Sequence, residues 1–175
     1  MNQYRRHFVA GSSGLVLAAA FYPGLLLSEN TVNIVMEGTV GGAHVWYNPY
    51  GLLIRRGQTV QWINKDPGNV HSATAYHPDI YARARRIPQK ATAWDSGLLL
   101  PDESFAVTFE EEGVYDFYCL PHEHAGMVGR IIVEKPEGTD WLNQDSALAG
   151  IPEIALASFP SIDSIMTGKA VKVAI

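Results

Sequence analysis

Val114-Tyr115-Asp116-Phe117-Tyr118-Cys119-Leu120-Pro121-His122-Glu123-His124-Ala125-Gly126-Met127 is the stretch on which the reading of this chain turns. Its first six residues alternate, putting Tyr115, Phe117 and Cys119 on one face of an extended strand and Asp116 and Tyr118 on the other. The single cysteine therefore emerges at a strand end, beside aromatic bulk. His122 and Met127 follow on the same short loop, so a thiol, an imidazole and a thioether are gathered within a few residues. Pro121 restricts that loop, and Gly126 permits a sharp turn before Met127. These are soft donors of the kind that suit copper, for which two imidazoles, one thiolate and a long axial thioether make a complete set. One imidazole is missing from the loop. His71, in Asn69-Val70-His71-Ser72-Ala73-Thr74, follows a strand-like run far upstream and is the candidate.

Outward from the loop, short strand-like runs alternate with turn signals. Thr31 to Met36 ends near Gly38, and Leu52-Leu53-Ile54 leads into a turn at Arg55 to Gln58. Thr59 to Asn64 alternates with period two, Val60, Trp62 and Asn64 sharing one face. Lys65-Asp66-Pro67-Gly68 reads as a turn, and Ser104 to Phe109 as another strand. Glu110-Glu111-Glu112-Gly113 reads as a solvated acidic turn, and Met127 to Val133 as the closing strand. Short strands at this spacing predict an all-β, two-sheet antiparallel sandwich. The segment from Tyr76 to Lys90 is irregular and rich in arginine, which predicts a long surface excursion. Beyond Lys135-Pro136-Glu137-Gly138, Ser161 is placed to cap a short helix carrying Ile162, Ile165 and Met166 on one face and ending at Gly168. Two turns of helix need a body to dock on.

With 175 residues, 47% of them hydrophobic, the chain has room for one respectable core and little more than one domain. The net charge of −5 and the lack of a clustered basic face exclude nucleic acid as a partner. A lone cysteine makes no intramolecular disulfide, so cysteine usage says nothing of the compartment. The N-terminus does speak of it. Arg5-Arg6 precedes an apolar run from Phe8, with Ala18-Ala19-Ala20 as a small-residue cleavage site. Residues 1–28 read as an export signal of twin-arginine type or as a membrane anchor, although Tyr4 stands where Ser or Thr is usual. The division expected is 1–28 for this segment, 29–134 for the sandwich domain, and 135–175 for an extension docking on it. The location expected is the periplasm or the extracytoplasmic face of the membrane.

Residues 114–133, together with 69–74 and 96–109, resemble the cupredoxins. Within them the chain is most similar to the plastocyanin and pseudoazurin group, whose ligand loop reads Cys-x-Pro-His-x-x-x-Gly-Met followed by Val-Gly. The resemblance implies a Greek-key β-sandwich holding one type 1 copper ion through His71, Cys119, His122 and Met127. It implies that Tyr115 and Phe117 are buried, that Tyr118 is a surface aromatic, and that His122 protrudes through an apolar patch and passes the electron. It also implies a monomeric single-electron carrier, not an enzyme, serving a cytochrome or copper oxidoreductase as redox partner. One departure stands out. Many relatives have Asn after the first ligand histidine, and this chain has Ser72, which offers one donor in place of two. Fewer donors near the sulfur predict a reduction potential tuned through the ligands' surroundings, in the upward direction.

The remaining histidines lack such support. His124 has no place in the ligand set and is expected in solvent; His77 is expected to pack or to support a ligand; His44 reads as a surface residue. Arg83, Arg85 and Arg86 read as a solvated loop in preference to a docking patch for an acidic partner. Two other functions compete with electron transfer. A copper-dependent oxidoreductase subunit would need more histidine ligands for a second copper. Copper storage or delivery favours open sites rich in methionine, and Met1, Met36, Met127 and Met166 form no such tract.

Overall fold

The computed structural model describes residues 30–42, 44–139, 142 and 144–173. The segment 1–28, read above as signal or anchor, lies outside them. No helix among the described residues is long and apolar enough to cross a membrane. Among the described residues, nine strands form two sheets. The first contains β1 (Thr31–Gly38), β2 (Val45–Asn48), β4 (Thr59–Asn64) and β6 (Ser104–Thr108) in the order β2-β1-β4-β6. The second contains β3 (Gly51–Ile54), β5 (Thr74–Ala75), β7 (Gly113–Tyr118), β8 (Val128–Val133) and β9 (Ala170–Val171) in the order β5-β7-β8-β3-β9.

The sandwich is as expected, with one difference in detail. The sheets are mixed, because β1 runs parallel to β4 and β3 runs parallel to β8. The chain crosses from the first sheet to the second between β2 and β3 and returns at β4, which brings non-consecutive strands together in the same direction. Period-two alternation fills the space between the sheets. Ile34, Met36, Val60 and Trp62 come from the first, and Ile54, Tyr115, Phe117, Ile131 and Val133 from the second. Trp62 lies edge-on to Phe117 at 5.3 Å between ring centroids, and Tyr47 meets Phe117 at 4.7 Å. Gly129 makes this possible, since a Cβ there would lie 2.3 Å from the Phe117 ring.

The outer face of β7 and β8 is covered as well, and every residue of β8 is buried. The covering elements are α1 (Asp145–Leu148), α2 (Glu153–Ser158) and α3 (Ile162–Gly168). Ser161 caps α3 by accepting from the Ser164 N–H. Ile165 packs with Val114, Ile132 and Leu142, while Ala155 and Ile151 pack with Tyr76, Tyr118 and Val128. Tyr118 is thus fully buried, not a surface aromatic: α2 occupies the space where solvent was expected.

Nor is the arginine-rich excursion all surface. Tyr76, His77, Arg86 and Ile87 are buried. Arg86 and Arg130 both grip the fully buried Asp116, with N–O distances of 2.7 and 2.6 Å. Their remaining donors reach the carbonyls of Leu142, Ala147 and Pro160, and both guanidinium groups lie over the Phe159 ring. Burial works against the Arg130 charge, but Asp116 outweighs it and holds Arg130 above its ordinary value. An alternating strand puts a carboxylate on the outward face of β7. The extension buries it, so only paired guanidinium groups make that placement tolerable.

Candidate metal centre

Three of the four expected donors converge. The ligand atoms of His71, Cys119 and His122 all lie within 4.8 Å of one another. Cys119 Sγ is 3.6 Å from His71 Nδ1 and 3.3 Å from His122 Nδ1. The two imidazole rings are 4.9 Å apart. Met127, the fourth, is 1% exposed at the end of the same loop. Of the other histidines, His124 and His44 are exposed and His77 is buried, its Nδ1 accepting from the Asp79 N–H. None of the three joins the cluster.

The local backbone explains the convergence. The Cys119 N–H donates to the Met127 carbonyl, the Met127 N–H to the His122 carbonyl, and the His122 N–H to the Cys119 carbonyl. A single turn of 3-10 helix, Glu123–Ala125, fills the loop, and Gly126 ends it at φ 79°. Glycine adopts that left-handed conformation without the steric cost a Cβ would bring. A Cβ there would also meet Ser158 Oγ of α2 at 2.6 Å, so the extension is packed directly against the loop. On the other side, His71 and Leu99 exchange both backbone hydrogen bonds, and Asn64 Nδ2 ties to the carbonyls of Asn69 and Leu99.

Ser72 joins the two halves. Its backbone N–H donates to Cys119 Sγ at 3.3 Å, and its hydroxyl oxygen accepts from the Leu120 N–H at 2.7 Å. Thr74 donates its own hydroxyl proton to Asp95 Oδ1, so the Ser72 proton must go to Thr74 Oγ1, 2.9 Å away. The chain of bonds therefore runs in one direction, from Leu120 through Ser72 and Thr74 to Asp95. The side chain of Ser72 fastens the loops, while the donor to the sulfur is backbone. The sequence leads one to expect a donor here, to the sulfur and its loop; the hydroxyl does reach that loop, but as an acceptor from the Leu120 N–H.

Burial governs the charge state of these donors. Burial pushes the Cys119 thiol up to about 12, so without a cation the sulfur stays protonated. Burial also lowers His71 and His122, the latter with help from the neighbouring His71, which leaves both imidazoles neutral at neutral pH and free to ligate. A buried thiol, two neutral imidazoles and a thioether fit one copper ion. Two acidic residues that the sequence did not single out stand beside them. Glu123, 4% exposed within the loop, accepts from the Tyr76 hydroxyl and pairs with Arg83. Asp66, read from sequence only as part of a turn, is 2% exposed and meets His71 Nε2 at 3.1 Å. Burial alone would raise Asp66, but donors from Asn69, Gly68 and His71 hold it below its ordinary value.

Residues 34–134 match the family model for copper binding proteins of the plastocyanin/azurin family. The chain is 33% identical to a chloroplastic plastocyanin of Tetradesmus obliquus over 72% of its length and 81% of that protein. It is 38% identical to a plastocyanin of a Synechococcus strain over 67% of its length and 82% of that protein. Among solved structures, a Sinorhizobium pseudoazurin superposes with a TM-score of 0.52 at 25% identity, covering 72% of this chain and 89% of that one.

Proposed function

Because the chain belongs to the plastocyanin/azurin family of copper-binding proteins and is, like them, a type 1 copper electron carrier and not an enzyme, we propose that His71, Cys119, His122 and Met127 hold its one copper ion. The observation that carries this is the convergence of His71, Cys119 and His122 at the end of the sandwich, with Met127 buried at the close of the same loop. When bound, copper supplies one-electron exchange between Cu(II) and Cu(I). The protein's part is to hold the donors still. Backbone bonds fix Cys119 and Met127, and α2 braces the loop at Gly126. His122 is the only half-exposed member of the trio, which supports it as the point where electrons enter and leave. Leu98, Leu100 and Leu120, on the segments that carry Leu99 and Cys119, are exposed and offer apolar contact to a partner.

The protein exchanges electrons with redox partner proteins, and as its partner we favour a cytochrome or a copper oxidoreductase. Arg5-Arg6 and the apolar run after it support work outside the cytoplasm, in the periplasm or at the membrane's outer face, as a monomer that is free or tethered through residues 1–28. Titration with copper tests the ligand set. One ion should bind with an intense thiolate-to-copper band in the visible spectrum, and Cys119→Ala should lose it. Copper binding by Cys119→Ala with the band intact, or no such band in the wild type, refutes the assignment. Reversible one-electron reduction without turnover of oxygen or nitrite is the expected behaviour of the loaded protein.

A further inference from the structure

Asp66 has an arrangement that a turn residue does not need. Its carboxylate is buried at the foot of His71, and each oxygen is engaged. Oδ1 accepts from the Gly68 N–H at 2.9 Å, while Oδ2 meets Asn69 Nδ2 at 2.8 Å and His71 Nε2 at 3.1 Å. The Asp66 N–H is itself held by Asn64 Oδ1, and Asn64 reaches on to the carbonyls flanking His71. Gly38 leaves the space the carboxylate fills: a Cβ there would lie 2.0 Å from Asp66 Oδ2. A close-fitted, hydrogen-bonded carboxylate therefore sits on the far nitrogen of His71, while Nδ1 faces Cys119 Sγ.

We propose that Asp66 is a positioning residue for electron transfer: it fixes the proton of His71 on Nε2, frees Nδ1 for the metal, and biases the bound ion toward its oxidised state. A carboxylate has no proton to give, so the shared hydrogen belongs to Nε2. Partners of this kind orient a ligating imidazole and raise its basicity. The negative charge favours the doubly charged ion over the singly charged one, which lowers the reduction potential. The inference rests on His71 being a copper ligand.

Asp66→Asn keeps the shape and an acceptor oxygen but removes the charge. Loss of such a partner usually weakens metal binding about 10–100-fold. Here the loss falls mainly on Cu(II), so the reduced form should gain at least about tenfold, a rise of about 59 mV for one electron. Asn69→Ala removes a donor to the same oxygen while keeping the charge, and should move the potential by less than half as much. A nitrogen-15-edited spectrum of the unmutated, metal-free protein should show the His71 ring proton on Nε2, a measurement independent of whether Asp66→Asn folds. The proposal is overturned by a potential in Asp66→Asn that stays put or falls with the visible band intact, by an equal shift in Asn69→Ala, or by a His71 proton on Nδ1. Failure of the ligand assignment looks different: His71→Ala would then keep the visible band.

Discussion

Asp116→Ala should be the most damaging single change in the outer layer, for a reason that charge counting separates from size. Asp116 receives four guanidinium contacts, from Nε and Nη2 of Arg86 and of Arg130, at 2.6–2.9 Å. All three residues are under a tenth exposed. The buried group carries a net charge of +1, which the carbonyls of Leu142, Ala147 and Pro160 soften. Removing the carboxylate leaves +2 with no counter-ion, and breaking a buried pair in this way costs about 3–5 kcal/mol. Against a total stability of about 5–15 kcal/mol, that is a large share. At about 2 kcal/mol per molar urea, the unfolding midpoint should fall by about 1.5–2.5 M. Arg86→Met removes a larger side chain but leaves a neutral Asp116–Arg130 pair, so it should cost less. Urea titrations of the copper-loaded proteins, read by far-ultraviolet circular dichroism, make the comparison. Limited proteolysis should show new cleavage within 135–173 in Asp116→Ala first. If Arg86→Met proves the more damaging, packing governs this cluster and the electrostatic account is wrong.

Gly126→Ala should cost about 1–2 kcal/mol from its left-handed backbone alone. Adding Ser158→Ala should return only the part due to the 2.6 Å contact, and full recovery would refute the backbone argument. Ser72→Ala strips the Leu120 N–H of its acceptor and should destabilise by about 1–3 kcal/mol. It leaves the backbone donor to Cys119 Sγ in place, so the potential should move by less than about 59 mV, and a larger shift would mean the hydroxyl acts on the sulfur. Copper held at about a thousand times its dissociation constant should add about 4 kcal/mol to the folded state. Chelation should therefore lower the melting temperature by about 8–16 °C in the wild type and leave Cys119→Ser unmoved.

How far the sequence spoke for itself depended on whether its signals were local. Alternation in Thr59 to Asn64 and in Val114 to Cys119 is a local property, and both strands and their inward faces follow from it. The spacing of Cys119, His122 and Met127 is local too. The partner set around them is not. Asp66 lies in a stretch whose turn chemistry is sufficient reason for an aspartate, and nothing nearby reveals that Gly38 makes room for its carboxylate. Arg86 looks like a loop arginine until the extension arrives, because its carbonyl partners Leu142 and Ala147 are more than fifty residues away. Tyr118 reads as a surface aromatic for the same reason: its position on the outward face is legible, but what covers that face is not. Parallel pairing of β1 with β4 likewise depends on where the chain changes sheets, which no single strand announces.

β9 is only two residues long, yet it changes how one copy of this protein meets another. Without it, Gly51 to Ile54 would be an apolar strand with an open row of backbone groups, the usual template for intermolecular pairing. β9 takes that row: the Leu53 N–H donates to the Lys169 carbonyl at 2.7 Å and the Tyr50 N–H to the Val171 carbonyl at 3.0 Å. The substitute edge is very short and is flanked by the exposed Lys169 and Lys172, which discourage a further strand from adding. A chain ending at Gly168 would keep its copper donors and lose this guard. Aggregation on storage, with electron exchange intact in the soluble fraction, is the failure such a truncation invites.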